Sequence, residues 1–144
     1  KAIFLRIKSL MDNFRPIDFS KVDDLDLKKA GLSYQKISYC KGLANACIQK
    51  KLDFKSIENM NNTDAINYLI RFKGIGDWTA QCYLLACLSR KDAWPSFDLG
   101  LQVAIQNIKG LSERPDVLTT NEFAELWKPY RGVAALLLWS TYDK

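Results

Sequence analysis

Apolar residues in this chain recur at intervals of three and four, and no Val/Ile/Thr-rich stretch alternates with polar residues. That spacing gives each segment one apolar stripe on a helix and leaves nothing from which to build a sheet. The reading is an all-α array of about eight short helices, folded as one domain over residues 1–144. Ile3, Leu5, Ile7, Leu10, Met11 and Phe14 outline a first helix, closed by Arg15-Pro16. Asp23-Asp24 opens a short helix ending in Lys28-Lys29-Ala30-Gly31, with cations and Gly where a C-terminus favours them. Ser33 caps a longer helix with Ile37, Cys40, Leu43, Ala44, Cys47 and Ile48 inside. A short helix near residues 54–60 and one capped by Thr63 follow, then helices over 78–89 and 98–108. A segment capped by Asn121 breaks at Pro129, and residues 131–142 form the last helix.

The absence of histidine removes Ser-His-Asp and Cys-His machinery and any zinc site built with imidazole. An acid or base working at neutral pH must then be a carboxylate, Lys, Tyr or Cys. The excess of 21 Lys and Arg over 16 Asp and Glu leans towards an anionic partner. Cys40, Cys47, Cys82 and Cys87 form no C-x-x-C and sit in apolar helical stretches, so they read as reduced thiols in a cytosolic setting. The longest apolar run, residues 133–139, falls far short of the roughly 18–20 residues of a membrane span. No signal-peptide pattern is read at the start; Lys1 in place of Met reads as a trimmed chain or a fragment of something longer.

Between two of the helices stands Lys73-Gly74-Ile75-Gly76-Asp77-Trp78-Thr79-Ala80. Two glycines around one aliphatic residue permit a tight turn with its amides facing outward. The turn feeds directly into a helix N-terminus, which attracts anions. Such a turn suits a nucleic-acid phosphate, with Lys73 and Lys91 adding charge; it equally suits an ordinary helical hairpin whose Gly is a C-cap.

Asp98 follows in Trp94-Pro95-Ser96-Phe97-Asp98-Leu99-Gly100-Leu101 and is a natural N-cap. The same rigid placement suits a carboxylate that stabilises an oxocarbenium-like sugar cation or orients water. Trp78 on a helix's first turn and Tyr130 after a Pro break are candidates for an exposed aromatic pocket, although aromatics at helical spacing often belong to a core. Such a pocket favours a base made cationic by alkylation.

Together these segments resemble the helix-hairpin-helix DNA glycosylase superfamily, and within it the DNA-3-methyladenine glycosylase II (alkylated-base) branch. The likeness also takes in Ala30-Gly31-Leu32-Ser33 with Lys36, Gly42-Leu43-Ala44, and Trp127-Lys128-Pro129-Tyr130-Arg131 with Ala134-Ala135 and Leu138-Trp139. It implies a base-excision repair enzyme that flips an alkylated purine (3-methyladenine or 7-methylguanine type) out of double-stranded DNA and hydrolyses its N-glycosidic bond. Asp98 is then the catalytic carboxylate, and Trp78, Cys82 and Tyr130 line the base pocket. Lys73, Gly74, Ile75, Gly76, Asp77 and Thr79 form the DNA-binding hairpin, where backbone carbonyls near Gly74 and Gly76 hold a monovalent cation, Na+ or K+. No other cofactor and no side-chain metal site is implied.

Bifunctional relatives carry a Lys immediately after the G-x-G-x of the hairpin, and its amine forms a Schiff base with the sugar. Here that place is Trp78, which implies water as nucleophile and an intact abasic product. Cys40 and Cys47 share the six-residue gap of the iron–sulfur loop in endonuclease III-type enzymes, but without the rest of that pattern no cluster is expected. The family's segment before the first helix, near which the residue that plugs the DNA gap is placed, is missing ahead of Lys1, and Cys82 stands where relatives show an aromatic. The resemblance further implies a monomer, no membrane, and action in the bacterial cytoplasm or a nucleus. The competing readings are a non-catalytic helix-hairpin-helix DNA-binding module and an all-α protein-interaction domain.

Overall fold

The computed structural model describes residues 2–142. Among them lie ten helices and no strand: α1 (Ala2–Lys8), α2 (Pro16–Lys21), α3 (Asp24–Ala30), α4 (Tyr34–Ile48), α5 (Phe54–Glu58), α6 (Asn62–Leu69), α7 (Asp77–Ala86), α8 (Leu99–Lys109), α9 (Val117–Glu125) and α10 (Arg131–Tyr142). The all-α class is as expected; ten helices stand against about eight, and one of the additional helices arises because the first segment divides. Its apolar spacing continues to Phe14, but α1 stops at Lys8 and only Ile7 in it is buried. Asp12 and Asn13 favour turns over helix interiors. Pro16 then opens α2 at its first position, where a missing N–H costs nothing.

Two other starts also differ from expectation. Asn61, not Thr63, caps α6, its Oδ1 accepting from the Asp64 amide at 2.9 Å. Asp116 caps α9 through the Thr119 amide at 2.8 Å, five residues before Asn121. In each case an earlier Asn or Asp lay within reach of the free amides and extended the helix backwards.

The chain divides into two compact units. The first holds the residues up to Asn59 together with Arg71–Gly74; the second holds Met60–Ile70 and the residues from Ile75 onwards. In the first unit, α1 packs on α3, and α2 and α3 pack on α4. Ile7, Leu27, Ala30 and Ile37 form its core, with Met11, Phe19, Val22 and Leu32 against them. In the second unit, α6 packs on α7, and α8 packs on α9 and α10. Ala65, Leu69, Ala80, Leu84, Leu101, Ile105, Ala124 and Ala135 are buried there.

One loop of the second unit is fastened to the start of α10. Asp92 accepts from the Arg131 amide (3.2 Å) and from its guanidinium (2.9 and 2.7 Å), and Lys91 O accepts from the Gly132 amide at 2.8 Å. The Arg131 hydrogen bonds hold the Asp92 carboxyl below its ordinary pKa. Folding therefore favours the ionised form, a stabilisation complete above the ordinary carboxylate pKa and lost as pH falls through the lowered value.

A Cβ at Gly132 would meet Arg90 O and Leu85 Cδ1 at 2.8 Å and Lys91 O at 2.9 Å, while a Cβ on Gly42 in α4 meets nothing within 4 Å. Gly132→Ala should therefore destabilise by about 1–3 kcal/mol through overpacking. Gly42→Ala should stabilise by roughly 0.5–1 kcal/mol, because only helix propensity changes. Denaturant titration of the two variants should show midpoints moving in opposite directions.

Candidate active site

Asp98 caps α8 by accepting from the Leu101 amide through Oδ1 at 2.9 Å. The same oxygen accepts from Trp139 Nε1 at 2.8 Å, and Oδ2 accepts from Trp78 Nε1 at 2.8 Å. Three helices of the second unit thus place N–H donors on one half-buried carboxylate. The loop before it is fixed as firmly. Trp94, Pro95 and Ser96 are buried, and Trp94 packs edge-on to Trp127 at 5.6 Å. The Trp94 amide donates to Gln81 Oε1 (3.1 Å), Gln102 Nε2 to Ser96 O (3.3 Å) and the Asp98 amide to Pro95 O (2.9 Å).

Trp78 is the second residue of α7, so the start of that helix and the carboxylate share one end of the unit. The residue is 47% exposed although its N–H is engaged. Cys82, one turn further on, is half-buried. Burial, with a smaller contribution from the Asp98 charge, pushes its thiol up to about 11. Tyr130 is exposed, with Lys91 Nζ 4.9 Å from its ring centre. The structure thus gathers Trp78, Cys82 and Asp98 and gives Tyr130 a different partner.

The glycines of the hairpin differ in what they permit. Gly74 has a left-handed φ of +97°, and a Cβ there would lie 2.6 Å from Tyr39 Cβ. Conformation and contact both require glycine. Tyr39 is held by Gln35 Nε2, which donates to its hydroxyl at 2.8 Å, and Lys73 Nζ lies 5.8 Å from its ring. Gly76 is the N-cap of α7 in extended backbone, and a Cβ there meets nothing within 4 Å. α3, α4, α5, α6, α8 and α9 are each capped by a side chain, whereas Gly76 gives α7 none. The first amides of α7 are left for a ligand or water. Asp77 and Thr79 are exposed on that turn, and Ile75 is half-buried.

Trp139 is the residue that sequence reasoning left out of the site. A tryptophan in an apolar helix seeks an acceptor for its N–H, but 41 positions separate it from Asp98, and spacing alone cannot pair them. A cavity of about 360 Å3 elsewhere in the second unit, lined by Asn62, Gln81, Asp92, Trp94 and Arg131 among others, involves none of the expected site residues. All four cysteines are free thiols, and burial also raises Cys40 and Cys47.

No protein-family model matches the chain. It is 31% identical over 144 residues to DNA-3-methyladenine glycosylase 1 of Schizosaccharomyces pombe, covering 97% of this chain and 63% of that protein. Its fold superposes on the solved structure of the Schizosaccharomyces pombe 3-methyladenine DNA glycosylase Mag1 in complex with abasic DNA, with a TM-score of 0.94. That match has 30% identity and covers 99% of this chain and 71% of that one. A DNA-3-methyladenine glycosidase from Bacillus halodurans gives a TM-score of 0.81 at 32% identity, with 98% and 66% covered. The all-helical fold is that of helix-hairpin-helix proteins of the DNA glycosylase class. The chain belongs to that superfamily, in its DNA-3-methyladenine glycosylase (alkylated-base) branch. It spans less than two thirds of the length of the curated relatives it matches first, 63% and 45%.

The raised Cys82 thiol predicts an order of chemical modification. At pH 8, iodoacetamide should label the exposed Cys87 well before Cys82, and Asp98→Asn should speed labelling of Cys82 by removing the opposing charge. Peptide mapping over a time course reads both effects.

Proposed function

We propose that this chain hydrolyses the N-glycosidic bond of alkylated purines of the 3-methyladenine and 7-methylguanine type, flipped from double-stranded DNA, and leaves an abasic site. The observation that carries this reading is the Asp98 carboxylate, held by Trp78, Trp139 and Leu101 at the end of the unit where α7 begins. As the C1′–N bond breaks, positive charge develops on the sugar, and a fixed carboxylate beside it lowers that charge's energy. Water then forms the new C1′–O bond, and its proton leaves with the base or to solvent. Trp78 occupies the place where bifunctional relatives carry an amine, which supports water as nucleophile and a product strand without a nick. Its exposed ring, with Cys82 and Tyr130, would wall the base.

The uncapped start of α7 with Gly74, Ile75 and Gly76 would grip a DNA phosphate through backbone groups, with Lys73, Asp77 and Thr79 around it. A Na+ or K+ ion would be held at this turn by backbone carbonyl oxygens near Gly74 and Gly76; among the described residues no group of three His, Cys, Asp or Glu able to hold a metal occurs. Bound there, it would add positive charge for the phosphate. We further propose action as a monomer wherever the genome lies. No helix among the described residues is long and apolar enough to cross a membrane.

Asp98→Asn should lower base release from methylated duplex DNA by about 100-fold or more while keeping the α8 cap, because Asn caps a helix as well as Asp does. Its amide nitrogen leaves one indole N–H without an acceptor, and circular dichroism checks that the variant is folded. Equal rates in the two proteins would contradict the assignment, and duplex binding without any base release would return the chain to the non-catalytic reading. Gly76→Ala should lower the unfolding midpoint only modestly, since its Cβ enters open space and the cost is that of Ala being a poorer N-cap than Gly. It should weaken binding to every duplex sequence alike, because a backbone grip reads no bases. Titrations on unrelated duplexes check this, and a change confined to one sequence would count against the grip.

A further inference from the structure

We propose that Trp139 is a positioning residue for Asp98, and that the two indoles together leave Oδ2 as the oxygen that faces the sugar cation. This rests on the glycosylase reading and extends it to a residue on α10. A carboxylate oxygen has about two lone-pair sites. Oδ1 spends both, one on the Leu101 amide and one on Trp139 Nε1, at 2.9 and 2.8 Å. Oδ2 spends one on Trp78 Nε1 at 2.8 Å and, among the described residues, keeps the other. The free lone pair of the group therefore belongs to Oδ2.

The cap bond alone would not fix the carboxylate plane, because rotation about the terminal sp³–sp² bond of Asp is soft. With only Leu101 engaged, the second oxygen can swing about the first. An indole on each oxygen, carried by a different helix, removes that freedom. Electrostatic stabilisation depends on a charge already in place when the bond breaks, so the orientation bears on rate rather than on binding. Trp139 need touch neither base nor sugar to act in this way.

The test uses single-turnover release of 7-methylguanine from methylated duplex, and affinity for a duplex holding a tetrahydrofuran abasic analogue. Trp139→Phe keeps a ring and removes the donor. It should slow release about 10- to 100-fold with affinity held within about twofold. In an Asp98→Asn background the same change should slow release no further, because Trp139 acts through Asp98. An unchanged rate, a parallel loss of affinity, or losses that multiply in the double variant would each overturn the proposal. If the unaltered chain releases no base, the glycosylase reading fails by itself, and the two-indole arrangement is then judged by NMR. Of the four indole N–H resonances, Asp98→Asn should move the two that vanish in Trp78→Phe and Trp139→Phe. If that pair stays in place, the arrangement is wrong whatever the reaction.

Discussion

Three N–H groups from α7, α8 and α10 meet on the Asp98 carboxylate, and the organisation of the second unit is most easily understood from that point. The Leu101 bond is an ordinary helix cap, worth about 1 kcal/mol. The two indole bonds join helices distant in sequence to the same group. An acceptor-only side chain is the one type that can satisfy three donors at once. The helix cap and the proposed catalytic group are therefore one object, so a neutral Asn would keep the cap while removing the charge.

Around that carboxylate the loop is buried where loops are usually exposed. Trp94, Pro95 and Ser96 lie inside; the Trp94 amide donates to the Gln81 side chain, Ser96 O accepts from the Gln102 side chain, and Pro95 O accepts from the Asp98 amide. Asp92 and Lys91 fasten the preceding residues to the first turn of α10, the helix that carries Trp139. Fixing the loop and the helix to each other fixes the distance between an acceptor and its donor. Gly132 is what lets the loop backbone come so close.

Much of this was legible along the chain. Helical spacing gave the fold class, Gly31 and Ser33 marked a helix end and the next start, and Asp98 stood out as a cap ahead of an apolar helix. The hairpin glycines were legible as a turn, although only Tyr39 packed beneath Gly74 explains why position 74 admits no side chain. Helix boundaries were less legible. Pro16 marks both an end and a beginning, and a cap such as Asn61 competes with Thr63 two residues on.

The sequence by itself determined an all-helical chain, a glycine turn running into a helix without a side-chain cap, and a lone carboxylate at the start of another helix. These are local properties, set by dihedral preference and by bonds within a few residues. Only the tertiary structure decided that Trp139 shares Asp98 with Trp78, that the two indoles engage different oxygens, and that Tyr130 lies by Lys91. Those pairings join residues some 20 to 41 positions apart, fixed by how α7, α8 and α10 pack, and no periodicity along a chain encodes such a distance.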